Sequence, residues 1–435
     1  MKLPRLEQLL FFLILLFLPT QLGKHFWFDF SYIYSLPVDY LLPTIYFWDL
    51  LVFALVFTWA FKKPRINRSA LTLSLLFILS QALSLFTSSN IGAGLTRLYL
   101  YLPPLLLFIY LASNDLGVIL SRSLIPLCLA VIFEALLGIG QVLFSSSLGF
   151  WILGERSFSA NTPFIATFNF FGKVLLRPYA TFPHPNVLAT FVALFWVFLK
   201  LYKGVELSGY FSQLKKIASW TSLLVLVLTF SRTEILGLLI AELCLNFQII
   251  KSLRVANIKK WVLENPIDPK GAAILAISLC LFIPTLIVRF LSLINYDQVS
   301  WIRRFELGAV AINAFLSSPF LGVGLNNFIP YLASSELVSG EERFLQPVHN
   351  IALLALSETG IVGIVGLVSL FVFTLQQLTL SPSTLRKYLV AIFLLIAGLS
   401  LFDHFFITLP QGLRILFFMF GLIFSKQQNI KAVKI

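Results

Sequence analysis

The chain has 435 residues, of which 58% are hydrophobic and 12% charged, and its mean hydropathy of +0.91 is far above that of a soluble domain. Its formal net charge of +13 comes without the interleaved basic and aromatic residues of a nucleic-acid-binding module. Nucleic acid is therefore excluded as a partner, and anionic membrane lipids are expected instead.

Successive apolar runs of about 17 to 25 residues are each long enough to cross a hydrocarbon core of roughly 30 Å as a helix. They predict an all-α polytopic membrane protein with about twelve transmembrane helices, which form a single integral membrane domain over residues 1–435. The first run has no small-residue cleavage site and is interpreted as a retained helix. The runs lie near residues 6–22, 44–61, 69–86, 97–112, 122–143, 186–201, 216–230, 233–250, 271–290, 350–378, 387–402 and 410–425.

The lysines predict the orientation of these spans. With twelve spans and a cytoplasmic N-terminus, every lysine except Lys24 and Lys173 falls in a cytoplasmic loop or terminus. Cytoplasmic loops are enriched in lysine, and a missed span would scramble this pattern. The distribution therefore supports twelve spans with both termini in the cytoplasm.

Arginines and histidines concentrate on the opposite side. Two long extracytoplasmic loops are predicted, over residues 144–185 and 291–349. The residues on the outer side or at the outer ends of spans are Arg97, Arg156, Arg177, Arg232, Arg289, Arg303, Arg304, Arg343, Arg414, His25, His184, His349 and His404. The orientation rule alone does not explain guanidinium groups there, so this face is expected to carry the chemistry.

Four motifs follow one another along this face. The first loop ends in "RPYATFPHPN", where prolines keep the chain extended and Asn186 is predicted to cap the next span. "TFSRTEILGLL" is a hairpin tip between two spans. "RRFELGAVAINAFLSSPFLGVGLNNF" contains a predicted amphipathic surface helix followed by a proline and glycine turn. "HNIALLALSETGIVGIVGL" opens the tenth span, with Asn350 as its predicted N-cap.

Taken together, these motifs resemble the O-antigen ligase and O-antigen polymerase superfamily of bacterial membrane proteins, over roughly residues 170 to 400. The resemblance implies a GT-C-like glycosyltransferase architecture in the bacterial inner membrane, with a large extracytoplasmic loop bearing short amphipathic helices. It implies transfer of a glycan from an undecaprenyl diphosphate carrier to a glycan, lipid or protein acceptor, without metal, nucleotide sugar or other cofactor.

The resemblance also assigns residues. Arg177 matches the arginine before the "HPN" element, Arg232 the "SR" arginine and Arg304 the arginine that opens the surface helix, while His349 and Asn350 match the "HN" pair. Gly308 stands where the family commonly has tryptophan, so the choice between Arg303 and Arg304 stays open. The two point about 100° apart on a helix, and one of them is expected to face the site.

The chemistry of these side chains suits the implied reaction. Arginine forms bidentate bonds to phosphate oxygens and keeps its charge, so Arg177, Arg232 and Arg304 are expected to hold the donor diphosphate. His349 is expected to be the general base that takes a proton from the acceptor hydroxyl, because Asn350 already serves as the helix cap. The bland alternative is that the arginines reach lipid headgroups and the histidine lies at the wet interface.

Three further residues are candidates for binding substrate. His184 is expected to fix the loop or contact phosphate, and Asp403 with His404, in "LFDHFF", to orient a partner or pass a proton. No histidine and acid group has metal-ligand spacing along the sequence, so no metal site is predicted. Ligase and polymerase differ only in the acceptor and stay open, and a transporter or flippase for the same glycolipids is a third interpretation.

Overall fold

The computed structural model describes residues 5–170, 172–202, 209–246, 287, 299–335, 345–381 and 383–426. Within these residues the chain is mainly helical, as the hydropathy predicts. The helices are α1 Arg5–Leu16, α2 Phe47–Ala60, α3 Arg68–Ala82, α4 Ile91–Ser113, α5 Leu116–Phe144, α6 Pro185–Phe198, α7 Gly209–Leu228, α8 Arg232–Leu245, α9 Val299–Ser317, α10 Phe328–Ser334, α11 Ile351–Leu380, α12 Ser383–Ser400, α13 Phe405–Thr408 and α14 Pro410–Phe424.

Five stretches of the described chain are long and apolar enough to span a membrane: Arg68–Thr87, Ile91–Ser113, Leu116–Phe144, Pro185–Tyr202 and Ile351–Leu380. The helices Phe47–Ala60 and Pro410–Phe424 are apolar but shorter. The predicted span over 271–290 lies outside the described residues apart from residue 287, as do Arg289 and Arg343.

Helix starts differ from the hydropathy runs where a polar side chain caps the helix. Asn90 accepts a hydrogen bond from the Ala93 N–H, and α4 therefore begins six residues before the predicted run at Arg97. Asp115 caps α5 in the same way through the Gly117 N–H, before the predicted start at residue 122. The cap of α6 is His184 and not the predicted Asn186, because the amide of Asn186 is bound by other side chains.

Short antiparallel strand pairs stiffen the loops between helices. Strand β1 (Gly23–His25) pairs with β4 (Thr44–Tyr46), and β2 (Tyr32–Ile33) pairs with β3 (Leu36–Pro37). In the loop before α6, β5 (Thr167–Phe170) pairs with β6 (Lys173–Leu176). The loops at this end of the bundle are therefore folded rather than extended.

A break in α11 joins this helix to the turn before α10. Gly360 adopts φ 58° and ψ −159°, a backbone conformation open in practice only to glycine. The break leaves the carbonyls of Ser357 and Glu358 free to accept hydrogen bonds from the N–H groups of Val323 and Gly324, each at 2.9 Å. The "FLGVGLNN" turn is thereby fixed against the middle of the bundle.

Candidate active site

A cavity of about 720 Å³ opens at the end of the bundle where α4, α6 and α11 begin. This is the end predicted to be extracytoplasmic. All four histidines of the chain line it, together with two arginines and three acidic residues: His25, His184, His349, His404, Arg97, Arg156, Asp39, Glu155 and Asp403. Imidazoles from four distant segments of the chain therefore share one space.

Asp403 lies between two imidazoles of the cavity. Its Oδ1 is 3.6 Å from Nδ1 of His349 and 3.9 Å from Nε2 of His404, and it accepts the backbone N–H of His404 at 2.8 Å. The two rings are 5.2 Å apart between centroids. The sequence placed Asp403 and His404 as partners of a site, and the fold brings them to His349 although more than fifty residues separate them along the chain.

Thr408 holds the ring of His404 in place. Its hydroxyl oxygen lies 2.7 Å from Nδ1 of His404 and 3.1 Å from the carbonyl of the same residue. The other ring nitrogen, Nε2, faces Asp403.

Burial sets the protonation of this group. Burial lowers the pKa of His404 to about 3, so this imidazole is neutral at neutral pH. Burial alone would raise the pKa of Asp403, but the contact with His349 and the neighbouring imidazoles more than offset it and hold that pKa below its ordinary value. The nearby Tyr40 has a raised pKa because it is buried and faces Asp403 and Asp39, so its hydroxyl stays a neutral donor.

His184 lies in the wall of the cavity and caps α6. Its Nδ1 is 3.2 Å from the backbone nitrogen of Asn186, and because a backbone N–H can only donate, Nδ1 is the accepting and unprotonated atom. His184 therefore fixes the start of α6, and its contact with phosphate stays a prediction.

Arg177 lies behind this wall, buried at 5% exposure and outside the cavity lining. Its guanidinium donates to the carbonyl of Thr229, to Oδ1 of Asn186 at 3.1 Å and to Oγ of Ser231 at 3.1 Å. Asn186 itself lines the cavity. The arginine thus links the "HPN" element to the "SR" hairpin through hydrogen bonds. Its guanidinium contacts Asn186, and Asn186 lies between it and the cavity.

The other expected arginines and Asn350 do not line the cavity. Arg232 is the first residue of α8, and Arg303 and Arg304 lie half-buried in α9. Asn350 caps α11 by accepting the Leu353 N–H at 2.9 Å, as predicted, and its amide donates to the carbonyl of Leu401 at 3.0 Å. The lining does not decide between Arg303 and Arg304.

The sequence singled out neither Arg97 nor Arg156 as site residues, although both were predicted on the outer side. They belong to no motif, so their position relative to the hydropathy runs was the only signal. Arg156 is exposed and lies 3.6 Å from Asp39 across the cavity mouth. Arg97 is buried in α4 at 2% exposure.

The described part of the chain also contains a group with metal-ligand chemistry. Ligand atoms of His349, Asp403 and His404 all lie within 4.8 Å of one another, and two imidazoles with one carboxylate are a common ligand set for divalent transition metals. Sequence spacing gave no sign of it, because His349 precedes α11 whereas Asp403 and His404 lie between α12 and α13.

The fold and the cavity define a helical membrane protein with a histidine-rich site at one end of its bundle. The family model described as O-antigen ligase matches residues 217–368. This match confirms the resemblance to the O-antigen ligase-like superfamily, and it covers the "SR" hairpin, α9, the glycine turn and His349. Among curated proteins none matches the chain.

Proposed function

We propose that the chain is a membrane glycosyltransferase that moves a glycan from an undecaprenyl diphosphate-type carrier to an acceptor on the extracytoplasmic face, without metal. The observation that supports it is the Asp403–His349 pair in a cavity shared with the other imidazoles and Arg97. The proposal includes about twelve spans, a GT-C-like architecture and location in a bacterial inner membrane, with the site on the side away from the lysines.

The reaction needs a base for the acceptor and a place for the leaving group. His349 takes the acceptor proton while the acceptor oxygen bonds to the anomeric carbon of the donor sugar. The bond from that carbon to the phosphate oxygen breaks, and its electron pair stays on the lipid diphosphate. As the resemblance implies, the configuration at the anomeric carbon inverts.

Asp403 orients the base, His349, and stabilises the positive charge that this imidazole acquires. The carboxylate faces Nδ1 of His349, so a hydrogen bond there would hold the imidazole with its other nitrogen free to accept a proton. The present separation of 3.6 Å is longer than a hydrogen bond, and catalytic hydrogen bonds commonly tighten when substrate binds. Asp403 also stabilises the imidazolium that forms as the proton arrives.

The diphosphate is drawn to this end of the bundle by arginines. Arg177, Arg232 and Arg304, or Arg303 in its place, stabilise the charge that develops on the leaving group. His184 is positioned on the cavity wall to contact the same anion or the sugar next to it. Transfer to a core lipid defines a ligase, and transfer to a second lipid-linked glycan defines a polymerase.

The test is glycan transfer by the purified full chain with a lipid diphosphate-linked oligosaccharide, with and without a lipid acceptor. We expect His349→Ala to lower the rate by roughly 10² to 10⁴-fold, the usual contribution of a general base. His25→Ala removes another imidazole of the cavity that lies outside the Asp403 group, and a much smaller loss is expected.

Each outcome tests one part of the proposed function. A normal rate for folded His349→Ala removes the base role. Elongation of the donor without another acceptor identifies a polymerase, and a single transfer to the lipid acceptor identifies a ligase. Donor that crosses a vesicle membrane without any transfer identifies a transporter and overturns the enzymatic function.

A further inference from the structure

Arg97 is a buried cation in the wall of the cavity. It lies in the second turn of α4, is 2% exposed and belongs to the lining. Its Nη1 donates to the carbonyl of Ile407 and its Nη2 to Oδ1 of Asn326, both at 2.7 Å. Both acceptors are neutral, and its Nε–H has no hydrogen-bond partner.

No carboxylate of the described residues forms a salt bridge with Arg97. An ion buried without a partner of opposite charge is unfavourable by several kcal/mol, so such a group persists where a ligand or another gain compensates it. The balance of charge at Arg97 therefore differs from that of the exposed Arg156, which faces Asp39.

The three acidic residues of the cavity are engaged elsewhere. Glu155 accepts hydrogen bonds from the side chain of Gln141 and from the N–H groups of Leu148 and Phe150. Asp39 faces Arg156, and Asp403 faces the imidazoles. Arg97 forms a salt bridge with none of the three, although the buried carboxylate of Glu358 is near enough to interact with it electrostatically.

The guanidinium is held in place before any ligand arrives. Asn326, which accepts from it, has a left-handed backbone with φ 58° and donates from its amide to the carbonyls of Tyr40 and Ala93 at 3.0 and 3.1 Å. Asn326 also ends the "GVGLN" turn that is fixed to the break in α11. The glycine motif thus serves to position the cation of a different helix, which lowers the reorganisation needed on binding.

We infer that Arg97 is the anion-binding residue of this cavity and that its ligand is the diphosphate of a prenyl-type lipid. A guanidinium with an unpaired Nε–H suits phosphate oxygens, and the cavity lining also includes apolar side chains such as Leu100 and Val187, which suit the lipid chain. The identity of the anion rests on the proposed function, whereas the existence of the anion site does not. The family-motif arginines then act around the cavity, and Arg97 makes the direct contact.

The experiment measures binding of farnesyl diphosphate to the purified full chain in detergent. We expect Arg97→Gln to weaken binding roughly ten- to a hundredfold, as for loss of charge-assisted hydrogen bonds. Arg97→Lys keeps the charge but loses the planar fork, and it should fall between the two. Arg386→Gln is the matched control. Arg386 lies in the first turn of α12, at the end of that helix away from Asp403, and its guanidinium donates to the carbonyl of Ser381.

A second variant keeps Arg97 and gives its guanidinium a carboxylate partner. Asn326→Asp places a carboxylate where Oδ1 now lies 2.7 Å from Nη2. We expect it also to weaken farnesyl diphosphate binding at least tenfold. Because this variant loses two amide hydrogen bonds, its binding is measured on the monodisperse folded fraction and compared with its own thermal midpoint.

Competition separates the sources of the anion. Inorganic pyrophosphate should displace farnesyl diphosphate from the wild-type chain, and phosphatidylglycerol in nanodiscs should not. Equal affinity in wild type and in folded Arg97→Gln overturns the site, and displacement by phosphatidylglycerol as strong as by pyrophosphate overturns its assignment to a diphosphate. Arg97-dependent binding without glycan transfer supports this site while it counts against the proposed function.

Discussion

Buried charged side chains have different partners at the two ends of the helix bundle. At the end rich in lysine, Lys62 pairs with Glu7, whose carboxylate also accepts the hydroxyl of Tyr110, and Lys200 pairs with Glu242 at 3.0 Å. At the cavity end, Arg97 is held by carbonyl and amide oxygens instead of carboxylates. Paired charges hold a structure together, whereas a cation fixed by neutral groups keeps its charge available for a ligand.

Arg414 shows a third arrangement near the cavity floor. Its guanidinium stacks on the rings of Tyr46 and Trp48 at 5.0 and 4.7 Å and donates to the carbonyl of Thr20 at 2.7 Å. Tyr46 lines the cavity, but Arg414 does not. Aromatic faces therefore help to stabilise a buried guanidinium at this end, where the buried carboxylate of Asp49 is also near enough to interact with it.

The largest effect is expected from removing a charge at the lysine-rich end of the bundle. We expect Glu7→Gln to lower the free energy of unfolding by about 3 kcal/mol, because the half-buried ammonium of Lys62 then has no partner. Glutamine keeps the acceptor for Tyr110, so only the charge is changed. The midpoint of denaturation in detergent measures this effect.

Lys62→Met added to Glu7→Gln should restore most of the lost stability, since it removes the stranded ammonium. Glycan transfer per folded molecule should stay at the wild-type rate in both variants. A Glu7→Gln protein of normal stability with impaired transfer would reverse the roles assigned to the two ends.

A smaller effect is expected from pH at the cavity end. The pKa of His404 is about 3 in the folded chain against 6.5 for an ordinary histidine, so between these values the unfolded chain binds a proton that the folded chain does not. The titration of His404 therefore does not lower the free energy of unfolding above pH 6.5, and below that pH the free energy of unfolding falls as the pH is lowered. From pH 7.5 to 5.5 the loss attributable to His404 is about 1.4 kcal/mol.

The measurement compares thermal midpoints of wild type and His404→Asn at the two pH values. The variant should lose less stability than wild type over this interval, because asparagine does not titrate. An equal loss in both proteins would mean that His404 is already charged in the folded chain.

The smallest effect is expected from metal removal. Although His349, Asp403 and His404 have metal-ligand chemistry, the proposed base role needs a free imidazole, so a chelator should leave the transfer rate unchanged. The rate is measured after treatment with EDTA and again after zinc is added back. Loss of activity on chelation, with recovery when zinc is added, would show that the reaction uses a metal-bound nucleophile and not a general base.

Much of this arrangement was predictable from sequence. Hydropathy predicted a helical membrane protein, and the motif order predicted the O-antigen ligase-like resemblance that the family match confirms. Asn350 was predicted to cap its helix and does so. Each of these depends on residues close together in sequence, where spacing alone carries the information.

Contacts across helices were beyond such reasoning. The starts of α4 and α5 were missed because caps at Asn90 and Asp115 outweighed the polar residues that interrupt the hydropathy. His184 was assigned the right loop, but Asn186 was wrongly assigned the cap, because its amide binds Ser231, 45 positions away in the chain.

Composition and local residue order are enough to predict that this chain enters a membrane as helices and that guanidinium and imidazole groups gather on one face. They do not predict that Arg97 lines the cavity while Arg177 lies outside its lining. The reason is that lining depends on which helix faces pack together, as when Asn326 meets Arg97 across 229 positions of sequence. That choice is made by long-range packing, which no local spacing encodes.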